Sequence, residues 1–296
     1  VQGQIRKALS GFYYVYSNGE TYQTRGRGNF RKRKISPLVG DFVEFESSNQ
    51  TDGYVLDILP RRNMLVRPNV SNVDQGIIIM SVVEPNFSEN LLDRFLVTLE
   101  NEGISAVIYL TKLDLLNNEG KDKFQQIKRD YQAIGYPVIL ADDNSLEQLI
   151  ALFPNHLSVF MGQSGAGKST LLNAISPELS LATDEISESL GRGKHTTRHV
   201  ELHPINNGLV ADTPGFSSID FLTIEPVDLP KMFPEFVAQS PNCKFRECRH
   251  LHEPSCAVKE ALEKGQILQS RYDNYLQFLE EVENRKPVYQ KKKRGN

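Results

Sequence analysis

Tryptophan is absent from the 296 residues, and cysteine occurs only three times. Three cysteines cannot build the paired framework of a small secreted domain without leaving a thiol over. No apolar run approaches the roughly 20 residues that a membrane-spanning helix needs. Near the start, the stretch from Leu9 to Tyr16 is broken by Ser10 and Gly11, so it does not read as a secretory leader. A strong net charge is also missing, since 34 basic and 37 acidic residues leave −3. These absences point away from secretion and membranes and toward a cytoplasmic protein, with a monomer as the default.

The small net charge conceals an uneven distribution. Residues 1–67 hold 11 basic and 6 acidic side chains, and residues 285–296 hold 6 basic and none acidic. The remainder holds 17 basic and 31 acidic, a charge of −14. Basic ends on an acidic centre suit a chain whose ends touch phosphate. Taken alone, the run Lys291-Lys292-Lys293-Arg294 reads as a solvated tail.

What is present is more specific. Gly162-Gln163-Ser164-Gly165-Ala166-Gly167-Lys168-Ser169 is a complete Walker A loop, continued by Thr170. Its glycines permit the tight turn that points backbone N–H groups at phosphates. Lys168 reaches the β- and γ-phosphates and the Ser169 hydroxyl ligates Mg²⁺. The apolar run Leu157 to Met161 reads as the strand before the loop, and Ser169 to Ile175 as the helix after it, whose N-terminus faces the phosphates. Val210-Ala211-Asp212-Thr213-Pro214-Gly215 supplies the other half, with Asp212 holding Mg²⁺ through a water and the Gly215 N–H sensing the γ-phosphate. Thr111-Lys112-Leu113-Asp114 follows the strand pattern Ser105 to Leu110, at the strand end where doubly wound sheets bind ligands. The Asp114 carboxylate accepts two hydrogen bonds from the guanine N1–H and 2-amino group, which adenine does not offer, while the Lys112 stem packs along the base. Thr111 stands where Asn is commoner, so one structural hydrogen bond differs. The ligand is therefore GTP or GDP with Mg²⁺. In an ordinary GTPase the phosphate loop comes first and the base-reading motif last. Here the order is reversed, as in a circular permutation.

Between the P-loop and the DTPG motif lies Gly191-Arg192-Gly193-Lys194-His195-Thr196-Thr197-Arg198, where a switch threonine ligates Mg²⁺ and the γ-phosphate; Thr196 and Thr197 are both candidates. His199 to His203 and Gly208 to Asp212 read as a hairpin around Asn206-Asn207. Many GTPases place a water-orienting Gln after DTxG, but here that residue is Phe216, which has no hydrogen-bonding group. His195 is the nearest substitute, since imidazole can hold a water or accept its proton; the alternative is that it only shapes the loop or touches a partner.

All three cysteines fall in one stretch: Cys243, Cys248 and Cys256, with His250 and His252 between the last two. Three thiolates and one imidazole suit a closed tetrahedral Zn²⁺ site of structural type. His250 is the better fourth ligand and His252 the alternative. Such a metal would stabilise a unit with little core of its own.

The N-terminal part reads as all-β, with strands at Gly11–Tyr16, Asp41–Phe45 and Gly53–Ile58. The intervening segment carries Arg25, Arg27, Arg31, Lys32, Arg33 and Lys34. That pattern suits a small OB-like barrel binding RNA, with an SH3-like barrel as the alternative. Tyr13, Tyr14 and Tyr16 fit either base stacking or the core. From about residue 72 strands alternate with helices, with Leu91–Glu100 and Lys121–Ile134 helical and Gln75–Val82 and Pro137–Leu140 extended. Ala141-Asp142-Asp143 occupies the place of the usual Ser-Ala turn behind the base. After Phe221 the chain turns helical, at Ser255–Glu263 and Gln269–Asn284. The expected architecture is an OB-like barrel over 1–70, a permuted α/β P-loop GTPase domain over 71–220 and a mainly helical zinc-binding domain with a basic tail over 221–296.

This order of motifs, with TKLD before GQSGAGKS, the GRGKHTTR segment, DTPGF and Cys-x₄-Cys-x-His-x₅-Cys, resembles one family over nearly the whole chain. It is the bacterial circularly permuted ribosome-small-subunit-dependent GTPase family, RsgA. The resemblance implies GTP hydrolysis stimulated by the small ribosomal subunit during its late maturation, with contacts to its rRNA. It implies a GTP site at Lys112, Asp114, Gly162, Gly167, Lys168, Ser169, Asp212 and Gly215, and zinc ligands at Cys243, Cys248, His250 and Cys256. It also implies a catalytic His195, and DTPG then leads almost directly into the zinc domain, as a lever would require. A GTP-gated RNA-binding adaptor with little catalysis is the competing function. A P-loop kinase is a weaker one, since no acceptor pocket is legible.

Overall fold

The computed structural model describes residues 1–28, 30, 35–177, 200–212, 221 and 223–285, and of Asp212 the backbone alone. His195, Thr196, Thr197, Gly215, Phe216, the basic residues 31–34 and the tail from 286 lie outside the described residues.

The chain begins with β1 (Gln2–Leu9), β2 (Phe12–Ser17), β3 (Glu20–Gly26), β4 (Phe42–Ser47) and β5 (Gly53–Ile58). Their order in the sheet is β1-β2-β3-β5-β4, and β1 also pairs with β4, which closes a five-stranded barrel. The parallel β3–β5 pair within this order is the OB-like arrangement rather than the SH3-like one. Ile5, Val15, Val43, Phe45 and Val55 fill its interior. Strand β4 alternates exposed and buried residues, as a half-buried strand must. Asn18-Gly19 closes the β2–β3 hairpin with both φ angles positive, the backbone that a two-residue turn between twisted strands requires.

Two of these strands carry no apolar alternation. In β1 only Ile5 is fully buried, and in β3 only Thr24. Backbone pairing fixes them: β1 bonds to β2 on one side and to β4 on the other. The start of the expected basic loop is therefore strand, with Arg25 opposite Phe12 and its guanidinium 4.7 Å from that ring. Tyr13, Tyr14 and Tyr16 are half-buried, and Arg6 lies 3.4 Å from the Tyr16 ring centroid.

The short ribbon β6 (Met64–Leu65) and β7 (Val70–Ser71) leads to β8 (Gln75–Ser81), buried at every residue. There follow α1 (Glu89–Asn101), β9 (Ser105–Thr111), α2 (Asn118–Ile134), β10 (Val138–Leu140), α3 (Ser145–Ile150), β11 (Leu157–Met161), α4 (Lys168–Ile175), β12 (Glu201–Ile205) and β13 (Gly208–Asp212). Helix α2 starts where the Asn117 side chain accepts the Gly120 N–H and stops at Gly135, φ 119°. The strands order as β10-β9-β8-β11-β13-β12, parallel except for the last, and β12 then pairs with β1 of the barrel at Lys7↔Glu201. Barrel and nucleotide-type sheet thus form one continuous eleven-stranded ladder.

By compactness the chain divides in two: Val1–Ser88 with Leu99–Ile219, and Glu89–Thr98 with Asp220–Asn296. The second unit holds α5 (Pro234–Gln239), α6 (Ala257–Glu263) and α7 (Gln269–Glu283). Its interior corrects the expectation of little core. Phe221, Phe233, Phe236, Tyr275 and Phe278 are buried together with Leu229, Val258 and Leu279. Fully buried Arg271 bonds Asp93 at 2.8 Å and Glu235 at 2.7 Å, so its charge is compensated on two sides.

Candidate functional site

Parallel pairing decides where the motifs meet. Strands β9, β8, β11 and β13 lie side by side and run the same way, with Ser81 opposite Thr111 and Val159 opposite Ala211. Thr111-Lys112-Leu113-Asp114, the Walker loop and Asp212 therefore leave the sheet at its carboxyl end.

The loop from Gly162 to Gly167 is built on three left-handed glycines, at φ 143°, 78° and 94°. Gly162 is also packed so closely that a Cβ there would lie 2.1 Å from the Ile79 carbonyl oxygen. Lys168 opens α4, one residue earlier than the sequence suggested, with Gly167 as N-cap. Its ammonium is buried and donates to the Gly162 carbonyl at 2.9 Å and to that of Gln163. Ala166 is buried, Gln163, Gly165 and Ser169 are half-buried, and Ser164 and Thr170 are exposed. The first N–H groups of α4 and the Lys168 charge converge on the loop, the arrangement that cradles phosphate.

Thr111 is what joins the two halves of the site. Its buried hydroxyl donates to the Ala166 carbonyl at 2.8 Å, tying the end of β9 to the Walker loop. The Thr at this position thus makes its own structural bond. Lys112 adopts φ 63°, which turns the chain into a short 3₁₀ segment where Leu113 is buried and Asp114 exposed. Leu113 anchors the turn and Asp114 offers the carboxylate. Thr111→Val, which keeps the shape and removes the donor, is expected to weaken GDP binding about 5- to 30-fold, the effect of about 1–2 kcal/mol for an orphaned buried carbonyl. Equilibrium titration with a fluorescent GDP analogue checks this, and an unchanged affinity sinks it.

One neighbour went unread in the sequence. The Lys112 ammonium donates to the Glu84 carbonyl, and Pro85 Cδ lies 3.6 Å from where a Gly165 Cβ would stand. The loop after β8 therefore borders both halves. Only its place after a strand flanked by β9 and β11 signals this, because Glu-Pro carries no motif. Behind the base-reading turn, Asp142 accepts the Asn144 N–H and Ser145 donates to the Asp142 carbonyl, so Ala141-Asp142-Asp143 is a self-bonded turn.

In the second unit Cys243, Cys248, His250 and Cys256 bring their ligand atoms within 4.8 Å of one another. His252 is exposed, which leaves His250 as the imidazole. His250 Nδ1 lies 3.3 Å from Cys256 Sγ and 3.8 Å from Cys243 Sγ, while Nε2 lies 3.4 Å from Ser240 Oγ. Nδ1 therefore faces the sulfurs and is the nitrogen that could ligate a metal, with Ser240 beside the other nitrogen as its outer partner. The Tyr272 hydroxyl donates to the His250 carbonyl at 2.6 Å, and that of Tyr275 to the Arg249 carbonyl, so α7 holds the ligand loop by its backbone. Three sulfurs and a nitrogen at this spacing fit Zn²⁺. Burial pushes the Cys248 thiol up to about 12 and raises Cys256, and it lowers the pKa of His250. A metal must then displace protons from at least these two thiols, so zinc affinity falls as pH falls. Calorimetry at pH 7 in buffers of different ionisation enthalpy should show two to three protons released per zinc; release below one would contradict a thiolate site.

The same order is found in known proteins. The RsgA GTPase model matches residues 58–222 and the RsgA N-terminal domain model residues 2–55. A protein of Enterococcus faecalis named small ribosomal subunit biogenesis GTPase RsgA is 68% identical, with 99% of each chain covered.

The chain belongs to the RsgA GTPase family.

A Lactococcus lactis protein of the same name is 55% identical over 99% of this chain and 98% of its own. Among solved structures, YloQ, described as a circularly permuted GTPase, matches with a TM-score of 0.82 at 48% identity, covering 97% of this chain and 96% of that one. YjeQ from Thermotoga maritima matches at 0.81 and 33% identity, covering 96% and 99%. This RsgA-family chain therefore has an N-terminal five-stranded barrel, a circularly permuted GTPase domain and a Cys₃His cluster. No helix among its described residues is long and apolar enough to cross a membrane.

Proposed function

We propose that this chain hydrolyses GTP to GDP and phosphate when bound to the small ribosomal subunit, and that it acts in the late maturation of that subunit. The observation that carries the reading is the Thr111–Ala166 bond, which sets an exposed Asp114 carboxylate beside a Walker loop in a permuted sheet. Asp114 selects guanine, and Lys112 lies along the base. Backbone N–H groups of Gly162 to Ser169, with that of Thr170 in the first turn of α4, and the Lys168 ammonium hold the phosphates and neutralise charge that grows on the leaving oxygens. Ser169 and Asp212 are the Mg²⁺ ligands from this chain, joined by Thr196 or Thr197; the ion would screen the β- and γ-phosphates. Gly215 senses the γ-phosphate. His195 orients the attacking water, because Phe216 cannot. Cys243, Cys248, His250 and Cys256 hold a structural Zn²⁺.

The division of labour is a barrel over 1–70 that contacts rRNA, a GTPase domain over 71–220 and a zinc domain over 221–296. The protein works as a cytoplasmic monomer. Turnover measured with purified small subunits, and with large subunits as control, tests the proposal. Strong stimulation by small subunits alone is the expected result. GTP binding without any stimulation would replace it with a GTP-gated RNA-binding adaptor.

A further inference from the structure

A second cleft, of about 450 Å³, opens where the barrel meets the first-unit sheet, lined by Arg6, Tyr16 and Phe42 on one side and Arg62, Asp74 and His156 on the other. Asp74, Leu157 and Gly208 mark the amino-terminal ends of β8, β11 and β13 on its wall. It therefore lies at the end of the parallel sheet opposite the Walker loop.

Its charge is unbalanced. Asp74 is fully used, with one oxygen accepting the Leu157 N–H at 2.7 Å and the other pairing with Arg62 at 2.8 Å. No carboxylate pairs with Arg6 among the described residues. Its guanidinium sits on the Tyr16 ring, and its Nε–H is buried without an acceptor. The half-buried arginines Arg61, Arg94 and Arg285 each have a carboxylate. A half-buried cation without a counter-charge costs stability unless an anion completes it. Burial lowers the Arg6 pKa, in keeping with that cost. At the rim the Phe42 ring is 46% exposed on a barrel strand, a flat apolar surface of the kind on which bases stack.

We propose that this cleft binds a phosphorylated nucleotide, free or within an RNA strand, with Arg6 and Arg62 on the phosphate and Phe42 against the base. The shared chemistry is one phosphoryl anion next to one aromatic base. The site does not depend on the Walker loop, and its test is independent of GTP turnover.

The absence of tryptophan makes that test local. Phe42→Trp places a single indole at the rim. With the guanine site saturated by GDP and Mg²⁺, adenosine monophosphate and hexa-adenylate are titrated against its fluorescence. Saturable quenching is expected, and Arg6→Gln in the same background should raise the midpoint about tenfold, in line with loss of a charge-assisted hydrogen bond. Arg6→Gln should also leave the melting temperature unchanged or higher, which removal of a merely structural arginine would not do. Quenching by both probes supports a nucleotide site, and quenching by the hexamer alone supports RNA as the source. Arg62→Gln, at a mostly exposed side chain, carries the comparison if Arg6→Gln does not fold. Absence of saturable quenching, or equal midpoints in the arginine variants, overturns the proposal.

Discussion

Gly162→Ala is expected to lower GDP affinity at least a hundredfold and to destabilise the first unit by about 3 kcal/mol or more. Two independent costs act at this residue. Its φ of 143° belongs to a region that L-residues rarely adopt. Its missing Cβ would stand 2.1 Å from the Ile79 carbonyl oxygen, a backbone atom of the neighbouring strand. Relief requires β11 to move away from β8, which carries the loop out of line with Thr111 and Asp114. Gly167→Ala is the informative control. There φ is 94°, but the nearest atoms are the Thr111 side chain at 3.9 Å, so only backbone strain of about 1–2 kcal/mol is expected. Nucleotide titration and denaturant unfolding of both variants check the ranking. Equal losses in the two would mean that close packing against Ile79 is not what the site requires.

Removing the metal is the second large effect. Small zinc modules without a core unfold entirely when stripped. Here the aromatic cluster around Phe233, Phe236 and Tyr275 remains, so the loss is partial. A strong chelator should cost the second unit about 4 kcal/mol or more and lower its melting midpoint by about 15 °C or more. His250→Ala should reproduce this and His252→Ala should not, because only the first faces the sulfurs. Basal GTP turnover should survive, since the Walker loop and Asp114 belong to the first unit. Subunit-stimulated turnover should fall. A chelated protein with an unchanged melting profile would remove the structural role of the metal.

The sequence was most legible where chemistry restricts residue type. A Walker loop needs its glycines and Lys168, and a tetrahedral zinc site needs Cys243, Cys248 and Cys256 close together. Buried strands such as β8 were equally plain, since all seven residues are buried. Strands β1 and β3 were not, because polar side chains such as Gln2, Gln4, Arg6 and Gln23 hide strands that backbone pairing specifies. Arg271 was illegible for the opposite reason: nothing local says that this arginine on α7 is buried between Asp93 and Glu235, which are distant in sequence. Glu84 and Ser240 act through a carbonyl and a single hydroxyl, and neither leaves a pattern. The core of the second unit is hard to read because its buried aromatic residues lie in two groups far apart in sequence, Phe221, Phe233 and Phe236 before the metal ligands and Tyr272, Tyr275 and Phe278 after them.

The pairing of Lys7 with Glu201 has a consequence for synthesis. A barrel emerging from the ribosome can bond β1 to β2 and β4 as soon as Ser47 is free, yet the Lys7 end of β1 waits for Glu201. Until then the nascent chain presents an unpaired strand edge next to Leu9, 37% exposed even in the finished fold. The asparagines at 206 and 207, both with positive φ, complete the tight turn that brings β13 back beside β12. Mutations that slow this hairpin should therefore reduce soluble yield during translation while leaving the stability of the completed protein almost unchanged.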